Sequence, residues 1–398
     1  MPSITNKLYE EAKRLIPGAT QLYSKRQELY APNQWPANYS RAYGINMQDS
    51  DGRWYRDFST SGLGACVLGF ADVDVDRAAS EAIHRGVACT TSCPEEVELA
   101  KLLTLVHPWA HQVRYTRSGG EAIAVAIRIA QARTGRHNIW WHQHSYHGWQ
   151  VNNPLTKEPH FPWDMEVLDD EPNAAFIIEP HRYSEEGLTS IRQRTDKRGE
   201  ILIFDEITSG FRFNLGGAHL QYGVTPDIAV FAKAMSNGYA MAAVIGTEDV
   251  MSAAQDTFIS STSWSEGIGP AAAIATIQKF WVNNVAEHLE RVGNLVLNSL
   301  KIVAKKTELE LSVTGPPQLI HLDFGSLEVQ TLYTQLMLER GFLAGRDFYP
   351  TYAHQGTDVQ DFIKSLEEVF PIIQEAKEKG DVLRLLKGPV VQEGIRRI

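Results

Sequence analysis

The chain has 398 residues, 43% hydrophobic and 22% charged, with a net charge of −10. That length allows a large core and two domains, and the acidic balance argues against a broad nucleic-acid-binding face. No uncharged apolar run approaches the roughly 20 residues of a membrane span, the start MPSITNKLYEEAKRLIPGA lacks a signal-peptide h-region, and three cysteines, Cys66, Cys89 and Cys93, fit reduced thiols in a cytoplasmic protein better than a disulfide framework.

The chain opens with a predicted helix, Asn6–Leu15, stopped by Pro17-Gly18. An irregular aromatic stretch follows, with Tyr23, Tyr30, Trp35, Tyr39 and Tyr43 around Lys25, Arg26 and Arg41. It reads as an arm packed over the core in preference to a lid that brings a cation to a substrate carboxylate. Asp49-Ser50-Asp51-Gly52 is a tight turn between two short strands. Gly62-Leu63-Gly64 is expected to reverse the chain, because no strand–helix unit frames it as a dinucleotide fingerprint. Asp72–Arg85 and Glu95–Val106 read as amphipathic helices, with Pro94 just inside the second. Cys89-x3-Cys93 has no second cysteine pair to complete a metal site.

The segment 113–151 carries the first candidate site. A short strand, Val113–Thr116, runs into Arg117-Ser118-Gly119-Gly120-Glu121-Ala122 and then a helical pattern from Ile123 to Arg133. A strand, a small glycine-rich turn and a helix start offer bare N–H groups and the positive end of a helix dipole to a phosphate. The next strand, Asn138–Trp141, leads into His142, His144 and His147. Alternation puts His142 and His144 on one face, which suggests a metal-dependent hydrolase as a distant alternative. The HxHxDH pattern of such enzymes requires aspartate where Tyr146 stands, so Tyr146 and His147 read better as an aromatic platform for a cofactor ring. A strand at Ala174–Ile178 ends on Glu179-Pro180, and the charged stretch around Glu185, Glu186, Arg192, Arg194, Lys197 and Arg198 reads as a solvated loop.

Ile201–Phe204 is a continuous apolar run, as in a buried parallel strand, and it ends on Asp205 and Glu206. Lys233 lies 28 residues after Asp205, just past a second apolar run, Ile228–Ala232. In open α/β sheets the ligand crevice lies at the carboxyl ends of the strands. A carboxylate buried there needs a partner, and a protonated ring nitrogen is a good one. An acid and an amine on neighbouring strand ends suit pyridoxal 5'-phosphate. The lysine forms a Schiff base, and the aspartate keeps the pyridine nitrogen protonated. A strand at Ala242–Gly246 follows. The hydroxyl cluster Ser260–Ser265 then precedes a helix at Pro270–Trp281, as a capping loop or as donors to a phosphate. From residue 281 on, helices at Val285–Lys305, Leu327–Arg340 and Thr357–Lys379 and a strand at Gln318–Phe324 suggest a smaller α+β domain.

These motifs carry a resemblance. Asp49-Ser50-Asp51-Gly52, RSGGEA, YHG, EP, FDEITSGFR with a lysine 28 residues on, and Lys387-Gly388-Pro389 together make the chain similar to class III pyridoxal-phosphate aminotransferases, in the glutamate-1-semialdehyde 2,1-aminomutase-like branch. The resemblance implies an α/β fold of PLP-dependent type I, like aspartate aminotransferase: a large domain with a mostly parallel seven-stranded sheet and a small α+β domain. It implies an N-terminal arm and part of the small domain at 1–48, the cofactor-binding domain at 49–282 and the small domain at 283–398. Lys233 would carry the cofactor and shuttle the proton, and Asp205 would pair with the pyridine nitrogen. Ser118, Gly119 and Gly120 would hold the phosphate, with Thr262 reaching it from the other subunit of a homodimer. Tyr146 would stack on the ring, His147 lies in the same motif, and Glu179 would stand near cofactor and substrate.

Four segments depart from the family pattern. Gly120 stands where SGTEA has threonine. Ser236–Ala240 replaces GGGxP, Tyr23–Gln27 replaces the SPVRAF stretch whose arginine binds a carboxylate, and Thr262–Pro270 replaces the TFSGNP block. Arg26, in a stretch that matches SPVRAF poorly, is the candidate to substitute for that arginine. The expected reaction transfers an amino group from an amino-acid donor, glutamate, to a keto, aldehyde or keto-sugar acceptor. An intramolecular aminomutase is the alternative.

Overall fold

The computed structural model describes residues 3–142, 145–150 and 171–393. The chain divides into two compact units, Met1–Asp72 with His288–Ile398, and Val73–Glu287.

The first unit opens with α1 (Ile4–Leu15), capped by the Ser3 hydroxyl, which accepts from Asn6 N. Three strands follow, β1 (Tyr39–Tyr43), β2 (Asn46–Asp49) and β3 (Trp54–Asp57). The Asp49 carboxylate closes the turn between β2 and β3 by accepting from Asp51 N and Arg53 N, both at 2.9 Å.

The second unit begins with α2 (Val73–Arg85) and α3 (Pro94–Val106). Then come β4 (Gln112–Thr116), α4 (Gly119–Thr134), β5 (Ile139–Trp141) and β6 (Ala175–Ile178). The unit continues with α5 (Glu185–Arg198), β7 (Ile201–Asp205), β8 (Ile228–Phe231), β9 (Ala242–Gly246), α6 (Glu248–Met251) and α7 (Ile268–Asn283). Its sheet has the order β4-β9-β8-β7-β6-β5. Neighbours from β5 to β8 are parallel, and β9 runs antiparallel to both β8 and β4. Among the described residues this sheet has six strands, one fewer than the family resemblance implies. Every residue of β6, β7, β8 and β9 is buried, which explains their unbroken apolar runs. On one face, Ala122, Ile123, Ala126 and Ile129 of α4 pack on Ile203, Val230 and Val244.

The chain then returns to the first unit with α8 (Val285–Lys306), β10 (Ser312–Thr314), β11 (Ile320–Asp323), α9 (Leu327–Glu339), β12 (Phe342–Leu343), β13 (Asp347–Phe348), α10 (Gly356–Lys379) and α11 (Val382–Leu385). One sheet has the order β1-β2-β3-β12 and another the order β10-β11-β13. Their core centres on Phe58, Phe342, Phe348 and Phe362.

Two expectations change. The stretch 185–198 is the helix α5. The Ser184 hydroxyl caps it by accepting from Gly187 N, Gly199 ends it at φ 60°, and Leu188, Ile191 and Thr195 bury a narrow stripe. Nor are its charges merely solvated, for Arg194 and Arg198 reach the buried Glu200 at 2.8 and 2.9 Å. The division at residue 49 falls at the end of β2. Because β3 pairs with both β2 and β12, residues 49–72 stay with the first unit.

Candidate active site

The strand directions bring five chain segments to one edge of the large sheet, those leaving β4, β5, β6, β7 and β8. Register places Asp205 beside Val230 and Phe204 beside Ile178. Glu179, Asp205 and Lys233 therefore follow adjacent strand ends.

Asp205 is buried, and leaving a carboxylate there without donors would cost several kcal/mol. Ile207 N donates to its Oδ1 at 3.0 Å. The buried His147 brings Nδ1 to 2.7 Å from Oδ2. The other imidazole nitrogen of His147 lies 2.8 Å from the Ser145 hydroxyl, which donates to the His142 carbonyl. His147 thus orients Asp205 through the edge of its ring. This corrects the expectation that His147 shares a stacking platform with Tyr146, which is exposed.

Lys233 begins the turn after β8 at φ +47°, a left-handed conformation unfavourable for a residue with a Cβ. Its Nζ donates to Thr208 Oγ1 at 3.0 Å. Burial pushes the ammonium pKa down and the charge of Arg212 pushes it the same way, against the opposing pull of Asp205 and Glu179. Thr208 and Arg212 lie inside the FDEITSGFR motif, but its pattern assigns neither of them a role. They stand in the turn after Asp205, where Gly210 N bonds Glu206 O and Arg212 N bonds Ser209 O. Glu179 is buried against Arg182, 2.6 Å away. Burial raises its pKa, and the Arg182 charge opposes this. Burial drives His181 down to about 4.

Ser118 is the N-cap of α4; its hydroxyl accepts from Glu121 N at 3.3 Å and donates to Glu121 Oε2 at 3.1 Å. The turn leans directly on the Asp205 segment, since a Cβ added at Gly119 would come within 2.7 Å of Ile207 Cδ1. A Cβ at Gly120 would fall 2.1 Å from Gln150 Oε1. Gly148, at φ +96°, would place one 2.7 Å from Gly120 Cα. Glycine is required at 148, where φ is positive and the neighbour is backbone, whereas at 119 the neighbour is the tip of the Ile207 side chain.

Thr262 opens a single exposed turn, Thr262–Ser265. The hydroxyl cluster does not cap α7; the Glu266 carboxylate does, accepting from Ile268 N at 2.7 Å and Gly269 N at 3.0 Å. Arg26 belongs to the first unit, where its guanidinium lies over the Tyr23 ring at 5.0 Å. Metal binding by the histidines finds no support. His144 lies outside the described residues, His147 is engaged by Asp205, and among the described residues no group of three or more His, Cys, Asp or Glu side chains could hold a metal ion.

An amine with a depressed pKa, an oriented carboxylate and a glycine-lined helix start form a donor set that fits pyridoxal phosphate. The family profile of aminotransferase class-III matches residues 29–154 and 163–370. The chain belongs to this family.

A 3-aminobutyryl-CoA aminotransferase of Cloacimonas acidaminovorans is 30% identical to this aminotransferase-family chain, over 91% of it and 95% of the relative. A glutamate-1-semialdehyde 2,1-aminomutase of Methylacidiphilum infernorum is 26% identical, over 92% and 97%. In fold the chain is similar to the pyridoxal-phosphate form of the FumI protein of Sphingopyxis sp. MTA144, with a TM-score of 0.88, 23% identity and coverage of 94% and 97% of the two chains. The class III chain is thus a pyridoxal-phosphate-dependent enzyme with the type I fold. None of its described helices is long and apolar enough to cross a membrane.

Proposed function

We propose that this class III enzyme is an aminotransferase that takes an amino group from an amino-acid donor, glutamate, and delivers it to a small keto, aldehyde or keto-sugar acceptor. The observation that carries this reading is the pairing at one sheet edge of Lys233, whose amine is held at 3.0 Å by Thr208, with Asp205, whose carboxylate is fixed by His147 at 2.7 Å. Pyridoxal phosphate, when bound, supplies a carbonyl for the amine and a ring that withdraws electrons from the substrate carbon. The chain's residues supply the rest. Asp205 holds the proton on the ring nitrogen, and the charge of that nitrogen in turn stabilises the buried carboxylate. The depressed pKa of Lys233 raises its neutral fraction, so with the cofactor bound it would act as nucleophile and, once freed, would carry the proton between the substrate carbon and the cofactor carbon. Thr208 receives the lysine amine when it is free. Ser118, Gly119 and Gly120 hold the phosphate with first-turn N–H groups and a hydroxyl. Tyr146 offers its ring face to the cofactor, Glu179 faces the substrate side, and Thr262 completes the phosphate site of the other subunit in a homodimer. Arg26 is the candidate for a substrate carboxylate. The enzyme works in the cytoplasm.

The test is an absorbance spectrum of the purified protein with pyridoxal phosphate, before and after L-glutamate, beside Lys233→Ala. Wild type should show a visible band that glutamate bleaches, and Lys233→Ala should show none. A band untouched by glutamate would favour the aminomutase reading, which the 26% identity to the Methylacidiphilum aminomutase supports. In that case Arg26→Ala should abolish turnover of a carboxylate-bearing semialdehyde. Absence of any band in wild type would overturn the assignment.

A further inference from the structure

The start of α4 carries an unusual substitution of one side chain by another. Gly120 has no side chain, yet the space where its Cβ would stand is filled by the carboxamide of Gln150, with Oε1 at 2.1 Å, Cδ at 3.0 Å and Nε2 at 3.2 Å from the Cβ position. This closeness is built from both sides. Gly148 takes a left-handed φ of +96°, and its own missing Cβ lets the 145–150 segment rest on Gly120 Cα. The same segment carries His147, which is anchored on Asp205 at 2.7 Å. The Gln150 amide is thus delivered to the first turn of α4 by a loop whose other end is fixed to the carboxylate of the site.

We infer that Gln150 is the side-chain donor to the cofactor phosphate, taking the place that a side chain at position 120 would hold. This rests on the proposal that Ser118, Gly119 and Gly120 hold the phosphate. The chemistry favours it: the first-turn N–H groups and the helix dipole attract an anion there, and a half-turn of the carboxamide, whose Oε1 now lies nearer than Nε2 to the Gly120 Cβ position, would present an N–H2 donor without adding charge. Glu121 cannot serve, because its carboxylate is occupied by Arg117 N at 3.0 Å, Ser118 Oγ at 3.1 Å and Trp264 Nε1 at 3.3 Å, and its charge would repel a phosphate.

The test titrates the full-length chain, freed of cofactor, with pyridoxal phosphate and separately with pyridoxal, which lacks the phosphate, following intrinsic fluorescence. Gln150→Ala should weaken pyridoxal phosphate about tenfold, as expected for one hydrogen bond to a charged group, and leave pyridoxal within about twofold. Adding Gly120→Thr to Gln150→Ala should restore most of the loss, because a hydroxyl grown from position 120 then enters the vacated space. Three results would overturn the inference: unchanged affinity for pyridoxal phosphate in Gln150→Ala; equal weakening for both ligands, which would mean the amide only packs the loop; or tighter binding, which would mean it obstructs the phosphate. Ser118→Ala separates this from the underlying proposal. If Ser118→Ala lowers the preference for the phosphorylated ligand and Gln150→Ala does not, only Gln150 is wrongly assigned. If neither variant changes the preference, the phosphate is held elsewhere and both readings fall.

Discussion

Two clusters flank the end of β7, and they use nearly the same parts. On one side the buried Asp205 meets His147; on the other the buried Glu206 meets His219. The Glu206 side is closed. Its carboxylate accepts from His219 N at 3.0 Å, from His219 Nδ1 at 2.8 Å and from the Ser209 hydroxyl. Trp109 Nε1 donates to His219 Nε2 at 2.9 Å. Nearby, His107 donates through Nδ1 to Leu103 O and accepts from Gly217 N, both at 3.0 Å. Although burial works against the ionised carboxylate, these bonds outweigh it and hold the Glu206 pKa below its ordinary value. The Asp205 side instead opens onto an amine with a depressed pKa and onto a glycine-lined helix start. A carboxylate–imidazole pair therefore does not mark a site by itself. What marks it is a neighbouring group with reactive chemistry and room beside it.

The sharpest test of this contrast is Lys233→Ala. The transamination rate should drop by at least about 10³-fold, with no loss of folded protein in a thermal melt. Asp205→Asn comes next, and should lower kcat by about 10²–10³-fold because, in the proposed site, the ring nitrogen would lose its charged partner. Glu206→Ala should do the reverse. It strands the buried His219 and Ser209 donors and costs about 3 kcal/mol in chemical denaturation, while kcat per folded molecule stays near wild type. If Glu206→Ala abolished turnover without destabilising the fold, the division into a structural and a catalytic side would fail.

Acid should expose the closed side in a graded way. Burial, reinforced by the neighbouring His219, pushes His107 down to about 4. Burial does the same to His354 in the first unit, where the imidazole bonds Thr351 N and Asp57 O. The unfolded chain takes up protons on these rings below about pH 6.5 and the folded chain does not. Each ring therefore contributes stability that is present above that value and is lost as pH falls toward 4, by up to about 1.4 kcal/mol per pH unit. Denaturation midpoints across that window, compared with His107→Gln, should show a shallower decline in the variant. The smallest expected effect is Thr208→Ala. Loss of one hydroxyl partner for Lys233 should cost about fivefold in kcat and shift the acidic limb of the pH–rate profile, with Thr208→Ser restoring both. An unchanged profile would remove Thr208 from the catalytic side.

Much of this arrangement is legible in the chain before any coordinates. Ile201–Phe204 and Ile228–Phe231 announce buried strands because parallel strands covered on both faces have no polar alternation, and Asp205 and Lys233 stand at their ends. The start of α4 is legible because Ser118 and two glycines must follow a strand there. α5 is hidden because its buried stripe is only Leu188, Ile191 and Thr195 among charges that pair locally. The role of His147 is hidden for another reason. Its partner is 58 residues away in sequence, and no local pattern says whether an imidazole will present its face or its edge. Gln150 is invisible for the same reason, since its contact with Gly120 depends on the conformation of Gly148.

The backbone of Lys233 has a consequence for how this protein can change over generations. At φ +47° the residue sits where glycine would be preferred by about 1 kcal/mol. Against that strain stand the bond to Thr208 and the positive charge beside the buried Asp205 and Glu179, both of which glycine would lose. With no demand for turnover, glycine at position 233 becomes acceptable only once the neighbouring carboxylates are also replaced. A lineage that had abandoned the chemistry would bear that replacement as its signature. In the proposed site the backbone and the chemistry thus pull in opposite directions at this one position, and selection for amino transfer would hold the lysine in place.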